Sequence, residues 1–240
     1  FHILVFVGGF SFGDHIGAGT IFANRVRYHL REDLDRYVQS GKLVIGICNG
    51  FQVLVESGLL PGFDGISDYP EATLATNIPI GYRCKWIHLK HENAGNCIFT
   101  QNISKGKVMH LPVAHGEGRF LFAKEKEQKY LQKLYDNDQL VFRYSTKDGD
   151  YANGKFPTNP NGAFHDIAGI CNPAGTVFGL MPHPERAFYG WQLPERVGER
   201  VLSGLSELRD GAFYRRRRSP QRGLLSGSGQ RHVHQGIPRE

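Results

Sequence analysis

The sequence predicts an α/β fold in which an open, mostly parallel, doubly wound sheet is flanked by helices and accompanied by a small antiparallel ribbon. Short apolar runs rich in β-branched residues alternate with amphipathic segments, the order expected of a parallel sheet covered on both faces. Hydrophobic residues make up 40% of the 240 residues, which is enough for a substantial core.

The chain opens with a strand, a loop and a helix. Residues 1–7 form an apolar run, and Gly8 and Gly9 begin a glycine-rich loop at its carboxyl end. Ligands bind at that edge of open α/β sheets, and adjacent glycines let a backbone N–H approach a ligand oxygen closely. Residues 17–39 carry apolar side chains three or four positions apart, which predicts an amphipathic helix.

A sharp turn carrying a cysteine follows the strand predicted over 43–47. Gly46 and Gly50 flank Cys48, and their missing side chains relieve crowding where a strand turns directly into a helix. The helix N-terminus favours the thiolate form of Cys48. A buried structural cysteine is the alternative, and the downstream residues decide between the two.

The remaining elements follow from apolar runs and turn residues. A helix is predicted over 125–135, and strands are predicted over 82–88, 97–100, 107–113, 139–144 and 176–181. The first two of these strands are expected to form the small antiparallel ribbon. A binding loop is predicted over 115–119, and His115 is a candidate binding residue because glycines and a charge pair follow it. The long loop predicted over 148–175 is expected to be functional or to form a partner surface.

Composition excludes several classes of protein. No run of about 18 apolar residues is present, which argues against a membrane helix. The four cysteines lack zinc or disulfide spacing and fit a reducing, cytosolic setting. His88, His91 and Cys97 lie near one another, but no further ligand pair completes a site. We therefore expect no metal site in this chain.

The domain is expected to span 1–196, followed by a basic, disordered tail over 197–240. Nine of the 29 basic residues lie from position 199 onward, so the main body is nearly neutral. Four consecutive arginines, Arg215 to Arg218, allow nucleic-acid binding, but an unstructured basic end is the simpler interpretation.

A base for Cys48 is found at the end of the last predicted strand. His183 follows that strand and Glu185 lies two residues further on. If both strands belong to one parallel sheet, His183 shares an edge with Cys48, and Glu185 orients the imidazole. A thiolate, a base and backbone donors perform acyl transfer on an amide carbonyl.

The binding residues for such a reaction are predicted around the same edge. Gly8 or Gly9, together with Asn49, would supply backbone N–H donors to the oxyanion. Gln52 lies one helical turn after Cys48 and is expected to hydrogen-bond a polar end of the substrate.

These motifs resemble those of the class I glutamine amidotransferases, whose sheet is flavodoxin-like. The resemblance is carried by Gly46 to Gln52, the His183-Pro184-Glu185 sequence, the Gly8 to Asp14 loop and the His115 to Arg119 segment. Within the family it is strongest to the glutaminase subunits of de novo purine biosynthesis, over about residues 3–188.

The resemblance implies that L-glutamine is hydrolysed to glutamate and ammonia through a thioester on Cys48. The ammonia would pass to an ATP-dependent synthetase subunit that amidates formylglycinamide ribonucleotide, with a small bridging subunit between the two. ATP and Mg²⁺ would bind the synthetase, and no membrane or nucleic acid is expected as a partner. Val7 replaces the proline usual before the two glycines, and a first strand-helix-strand section of about forty residues is expected to be absent.

Three other functions remain open at this point. The chain could be a cysteine hydrolase of another specificity on the same fold, or a partner-binding subunit without catalytic activity. A nucleic-acid module carried by the arginine-rich tail is the third.

Overall fold

The computed structural model describes residues 1–11, 17 and 19–194. The tail predicted over 197–240 lies outside these residues, as does part of the loop that follows Gly9. In chain order the elements are β1 (Ile3–Phe6), α1 (Thr20–Gln39), β2 (Leu43–Ile47), α2 (Asn49–Glu56), β3 (Ala72–Thr76), β4 (Arg83–His91), β5 (Val108–His115), β6 (Glu117–Phe122), α3 (Glu127–Asp136), β7 (Leu140–Ser145), β8 (Ile167–Cys171) and β9 (Val177–Leu180).

Seven of the described strands form one sheet in the order β1-β2-β9-β8-β7-β4-β5. Strands β1, β2 and β9 are parallel, whereas the pairs from β9 across to β5 are antiparallel. The predicted α/β class, with an open sheet flanked by helices, is confirmed. Parallel pairing is confined to three strands, so the sheet is mixed rather than mostly parallel. Helix α1 makes the crossover that a parallel pair needs, whereas the antiparallel strands β4 and β5 are joined over residues 92–107 without a helix.

The small antiparallel ribbon is present, but different residues form it. It consists of β3 and β6, paired with Leu74 opposite Phe120. Residues 82–88 lie in β4 of the main sheet instead. Residues 97–100 form a turn rather than a strand, because the backbone N–H of Thr100 donates a 3.0 Å hydrogen bond to the carbonyl oxygen of Cys97.

Two predicted loops contain regular structure. The stretch 148–175 includes β8, whose five residues are all buried between β7 and β9. Its sequence shows no alternation because both faces of the strand are covered. The stretch 115–119 is not a loop either, since β5 ends at His115 and β6 begins at Glu117. Gly116 alone lets the chain pass from the main sheet to the ribbon.

Helix α2 is the part of the core that positions the site. All of its residues except Glu56 are buried, and the ring of Phe51 stacks on Phe120 of the ribbon with centroids 6.2 Å apart. A Cβ placed on Gly50 would lie 1.9 Å from the backbone oxygen of Phe6. Glycine therefore allows α2 to pack directly against the backbone of β1, a close approach beyond the crowding at the turn that the sequence predicts.

Candidate active site

Cys48 occupies a strained turn between β2 and α2. Its φ of 53° and ψ of −108° lie in a region that residues with a side chain rarely adopt. The backbone N–H donates a 2.8 Å hydrogen bond to the carbonyl of Leu180 at the end of β9, and the thiol contacts the carbonyl oxygen of Ala114 at 3.6 Å. The turn thus presents the sulfur at the carboxyl edge of the parallel strands, as a nucleophile elbow does.

His183 and Glu185 lie next to this turn, beyond the end of β9. The imidazole is 1% exposed, and its Nδ1 lies 2.6 Å from Oε1 of Glu185. Nε2 is buried and has no hydrogen-bond partner within residues 1–11, 17 and 19–194. A hydrogen bond at Nδ1 fixes the ring orientation and leaves Nε2 for proton transfer.

The first glycine loop brings the two side chains together. A Cβ placed on Gly8 would lie 2.9 Å from Cε1 of His183 and 3.4 Å from Cβ of Cys48. Both side chains therefore flank the same point of the backbone, where only glycine fits. The arrangement follows from the sheet, since β1, β2 and β9 are adjacent parallel strands that end at one edge.

The electrostatics of the histidine–glutamate pair favour an ionised carboxylate. Burial opposes ionisation of Glu185, but the hydrogen bond with His183 and the nearby charges of His183 and Arg186 outweigh it and lower the pKa of Glu185 below its ordinary value. Glu185 is 56% exposed at its side chain, so solvent screens part of this interaction. Near neutral pH the carboxylate is an acceptor for a protonated Nδ1.

A small pocket opens beside Cys48. It is lined by Gly9, Phe10, Cys48, Gln52, Ala114, His115, Gly116 and Glu117. Gly9, Gln52 and His115 were predicted binding residues, and the structure places all three here. The sequence pattern did not single out Phe10, Ala114 and Glu117. The signal for Ala114 and Glu117 is the alternation of side chains between the two faces at the end of β5 and the start of β6. The prediction of a loop over 115–119 hides that alternation.

Asn49 and Gln52 lie where the sequence predicts, but their side chains already have protein partners. The Asn49 amide donates to Oε1 of Gln52 at 2.8 Å, and its oxygen accepts a 2.6 Å hydrogen bond from the Ser11 hydroxyl. The Gln52 amide donates to the backbone oxygen of Glu117 at 2.5 Å. Backbone donation by Asn49 and substrate contact by Gln52 stay predictions.

His115 is an uncharged part of the pocket wall. Burial is the main reason that its pKa falls to about 3, and the charges of His183 and Arg83 lower it further. Neither ring nitrogen has a hydrogen-bond partner in the described part of the chain. Proton transfer by His115 at neutral pH is therefore disfavoured.

Acidification is expected to destabilise the fold through His115. Below pH 6.5, the ordinary value, the unfolded imidazole binds a proton, whereas the folded one stays neutral down to about pH 3. The unfolded state then binds more protons, so the free energy of unfolding decreases as the pH falls. The expected loss between pH 7.5 and 5 is about 2 kcal/mol, at most about 1.4 kcal/mol per pH unit.

Urea unfolding of wild type and His115→Phe at the two pH values measures this contribution. The variant lacks the titrating group and should lose about 2 kcal/mol less than wild type. His29→Phe, at an exposed histidine of α1, is the matched control and should behave as wild type. Equal losses in wild type and His115→Phe would contradict the prediction.

The described residues contain neither a metal-binding cluster nor a membrane-spanning helix. No group of three or more histidine, cysteine, aspartate or glutamate side chains there could hold a metal ion. His91 instead contacts the backbone oxygen of Ser104 through Nδ1, at 3.3 Å. None of the helices in this part of the chain is sufficiently long and apolar to cross a bilayer.

Comparison with known proteins identifies the family. Residues 1–207 match the CobB/CobQ-like glutamine amidotransferase domain. The phosphoribosylformylglycinamidine synthase subunit PurQ of Archaeoglobus fulgidus is 52% identical over 201 residues, covering 82% of this chain and 73% of the relative. PurQ of Methanococcus maripaludis is 47% identical over 199 residues, covering 81% and 69%.

A solved structure, that of PurLQS from Thermotoga maritima, supports the same assignment. Its matched chain superimposes with a TM-score of 0.60 at 31% identity, over 87% of this chain and 80% of that one. The resemblance predicted from the motifs is thus confirmed. Because the family match covers most of the sequence and the relatives are about half identical, this chain belongs to the CobB/CobQ-like glutamine amidotransferases.

Proposed function

We propose that this chain is the glutaminase subunit of a phosphoribosylformylglycinamidine synthase. It hydrolyses L-glutamine to glutamate and ammonia, and the ammonia is used to convert formylglycinamide ribonucleotide to formylglycinamidine ribonucleotide in purine biosynthesis. The 52% identity to a PurQ subunit supports the reaction. The observation that carries the chemistry is the strained Cys48 beside the buried His183–Glu185 pair.

The first half of the reaction forms a thioester. The Cys48 thiolate attacks the side-chain amide carbon of glutamine, and the carbonyl oxygen becomes an oxyanion held by backbone N–H groups of Gly8 or Gly9 and Asn49. His183, which holds at Nε2 the proton taken from the Cys48 thiol, gives it to the departing nitrogen, so ammonia leaves as the C–N bond breaks.

The second half regenerates the enzyme. His183, now neutral, takes a proton from water, and the resulting hydroxide attacks the thioester carbon. The C–S bond breaks, glutamate is released and Cys48 returns as a thiolate. Glu185 stabilises each protonated state of His183 through the Nδ1 hydrogen bond, consistent with the 2.6 Å contact and the lowered pKa of Glu185.

The partners follow from the same assignment. We propose an ATP-dependent synthetase subunit and a small bridging subunit, with ATP and Mg²⁺ bound by the synthetase and none needed by the glutaminase step. The PurLQS structure of a relative supports this composition. We place the complex in the cytosol, a reducing compartment, because Cys48, Cys84, Cys97 and Cys171 are all free thiols.

Labelling with 6-diazo-5-oxo-L-norleucine, an electrophilic glutamine analogue, tests the function in the assembled complex. We expect stoichiometric modification of Cys48, detected by peptide mass spectrometry, and protection by L-glutamine but not by D-glutamine. Cys84 is exposed and does not line the pocket beside Cys48, so it serves as the internal control and should stay unmodified.

The other functions predict different results. A partner-binding subunit without activity would leave Cys48 unmodified in the complex, which would overturn the proposal. A hydrolase of another specificity would react with general thiol reagents, but L-glutamine would not protect it.

A further inference from the structure

The residue after the nucleophile is tied by its side chain to the first glycine loop. The side-chain oxygen of Asn49 accepts hydrogen bonds from the Ser11 hydroxyl at 2.6 Å and from the Ser11 backbone N–H at 3.3 Å. Ser11 lies two positions after Gly9, whose φ of 134° is one that side-chain-bearing residues rarely adopt. Asn49 is 3% exposed, so this contact is sheltered from water on the Asn49 side.

The same amide connects to the far wall of the pocket. Asn49 donates to the Gln52 side chain at 2.8 Å, and Gln52, which is 5% exposed, donates to the backbone oxygen of Glu117. Ser11, Asn49 and Gln52 thus form a continuous hydrogen-bonded chain, the Ser11–Asn49–Gln52 bridge. It joins the glycine loop, the N-terminal turn of α2 and the start of β6.

The bridge matters because the two ends of the oxyanion site come from different elements. Under the proposed function, one backbone donor belongs to Gly8 or Gly9 and the other to Asn49. The two donors must be spaced so that both hydrogen-bond the oxyanion, whose charge develops in the transition state. A displacement of about 1 Å can cost about 100-fold in rate. The contact from Asn49 to Ser11 links the two donor segments through one side chain.

We propose that Ser11 and Asn49 are positioning residues that hold the glycine loop at the spacing required for oxyanion stabilisation, with Gln52 as their anchor to the pocket wall. This inference rests on the proposed glutaminase function. Gln52 has this anchoring role beside the substrate contact that the sequence predicts, which stays a prediction. Because the bridge acts on the transition state, its loss should affect kcat more than KM.

Ser11→Ala and Ser11→Thr in the complete complex test the bridge. Ser11→Ala removes the hydroxyl and should lower kcat for ammonia release by about 10- to 100-fold, with KM within about twofold of wild type. Ser11→Thr keeps the hydroxyl and should recover most of the activity. Asn49→Ala removes the side-chain oxygen and keeps the backbone N–H. Because both substitutions break the same contact, the fold loss in kcat of the double variant should be smaller than the product of the two single losses.

The rate of Cys48 alkylation by iodoacetamide shows whether Ser11→Ala affects only the positioning of the oxyanion donors or also disturbs the nucleophile. The Cys48 thiolate forms a C–S bond with the CH₂ carbon of this reagent and iodide leaves, so no oxyanion forms and only the reactivity of the thiolate is measured. The Ser11→Ala variant should therefore alkylate Cys48 at the wild-type rate, and its thermal unfolding temperature should match wild type. A parallel fall in alkylation and turnover would overturn the proposal, because the nucleophile itself would then be disturbed.

Failure of this inference differs from failure of the proposed function. If wild type releases ammonia and Ser11→Ala does so equally well, the bridge has no positioning role and the glutaminase function stands. If the wild-type complex neither releases ammonia from glutamine nor reacts with the glutamine analogue, both proposals fall together.

Discussion

Replacing Cys48 with alanine is expected to lower ammonia release from glutamine by about 10⁴-fold or more, equivalent to at least about 5.4 kcal/mol of transition-state free energy. The substitution removes the atom that forms the thioester. His183 then has no nucleophile to serve, and the remaining backbone donors stabilise only the slow direct attack of water. Initial rates of ammonia formation, with the synthetase present and absent, measure the effect.

Two controls make the result specific to the site. Cys48 is buried, and alanine leaves only a small space at the pocket edge, so circular dichroism and assembly with the synthetase should be unchanged. Cys84→Ala removes an exposed thiol and should retain wild-type turnover. If Cys48→Ala keeps more than a few per cent of the wild-type rate while folded, the sulfur is not the nucleophile.

Gly50→Ala is expected to remove about 4 kcal/mol or more of stability, a large part of what a domain of this size possesses. Alanine is the better helix former by about 1 kcal/mol, so local propensity alone predicts stabilisation. The added Cβ would lie 1.9 Å from the oxygen and 2.6 Å from the carbon of the Phe6 carbonyl. These are backbone atoms, so strand β1 and helix α2 must separate.

Chemical denaturation of the purified chain measures whether Gly50→Ala raises the free energy of unfolding, as helix propensity predicts, or lowers it, as the contact with Phe6 predicts. Gly116→Ala is the matched control, since the nearest neighbour of its new Cβ would be a ring carbon of Tyr82 at 4.0 Å. That variant should stay within about 1 kcal/mol of wild type. A Gly50→Ala protein as stable as wild type would show that the contact between α2 and β1 can relax freely.

The sequence predicts those features that a local pattern marks, such as an amphipathic helix or a reactive side chain directly after an apolar strand. Helix α1 was predicted over 17–39 and begins at Thr20, because its apolar spacing is a property of the helix alone. Cys48 and His183 each follow a recognisable apolar strand, and parallel strands end at one edge. Their proximity could therefore be predicted, although a long stretch of chain separates them.

Other features depend on partners that are distant in sequence. Strand β8 is buried on both sides and short, so no period of two marks it within its glycine- and asparagine-rich surroundings. The partner of β3 lies more than forty residues away, in β6. The Gln52 side chain bonds to a backbone oxygen 65 positions away, and such a contact leaves no mark in the residues around Gln52.

The register between β2 and β9 has a consequence for how this enzyme can diversify. Ile47 pairs with Leu180, and the Cys48 N–H bonds to the Leu180 carbonyl, so a ladder of main-chain hydrogen bonds sets the spacing between the two reacting groups. The residues between Ile47 and Val177 form the elements α2 to β8 before the chain returns in β9 to pair with β2. Asn49, Gln52 and residues 114–117 in that stretch belong to the site, so insertions, deletions or a new docking surface elsewhere in it can accumulate while the spacing of Cys48 and His183 is kept.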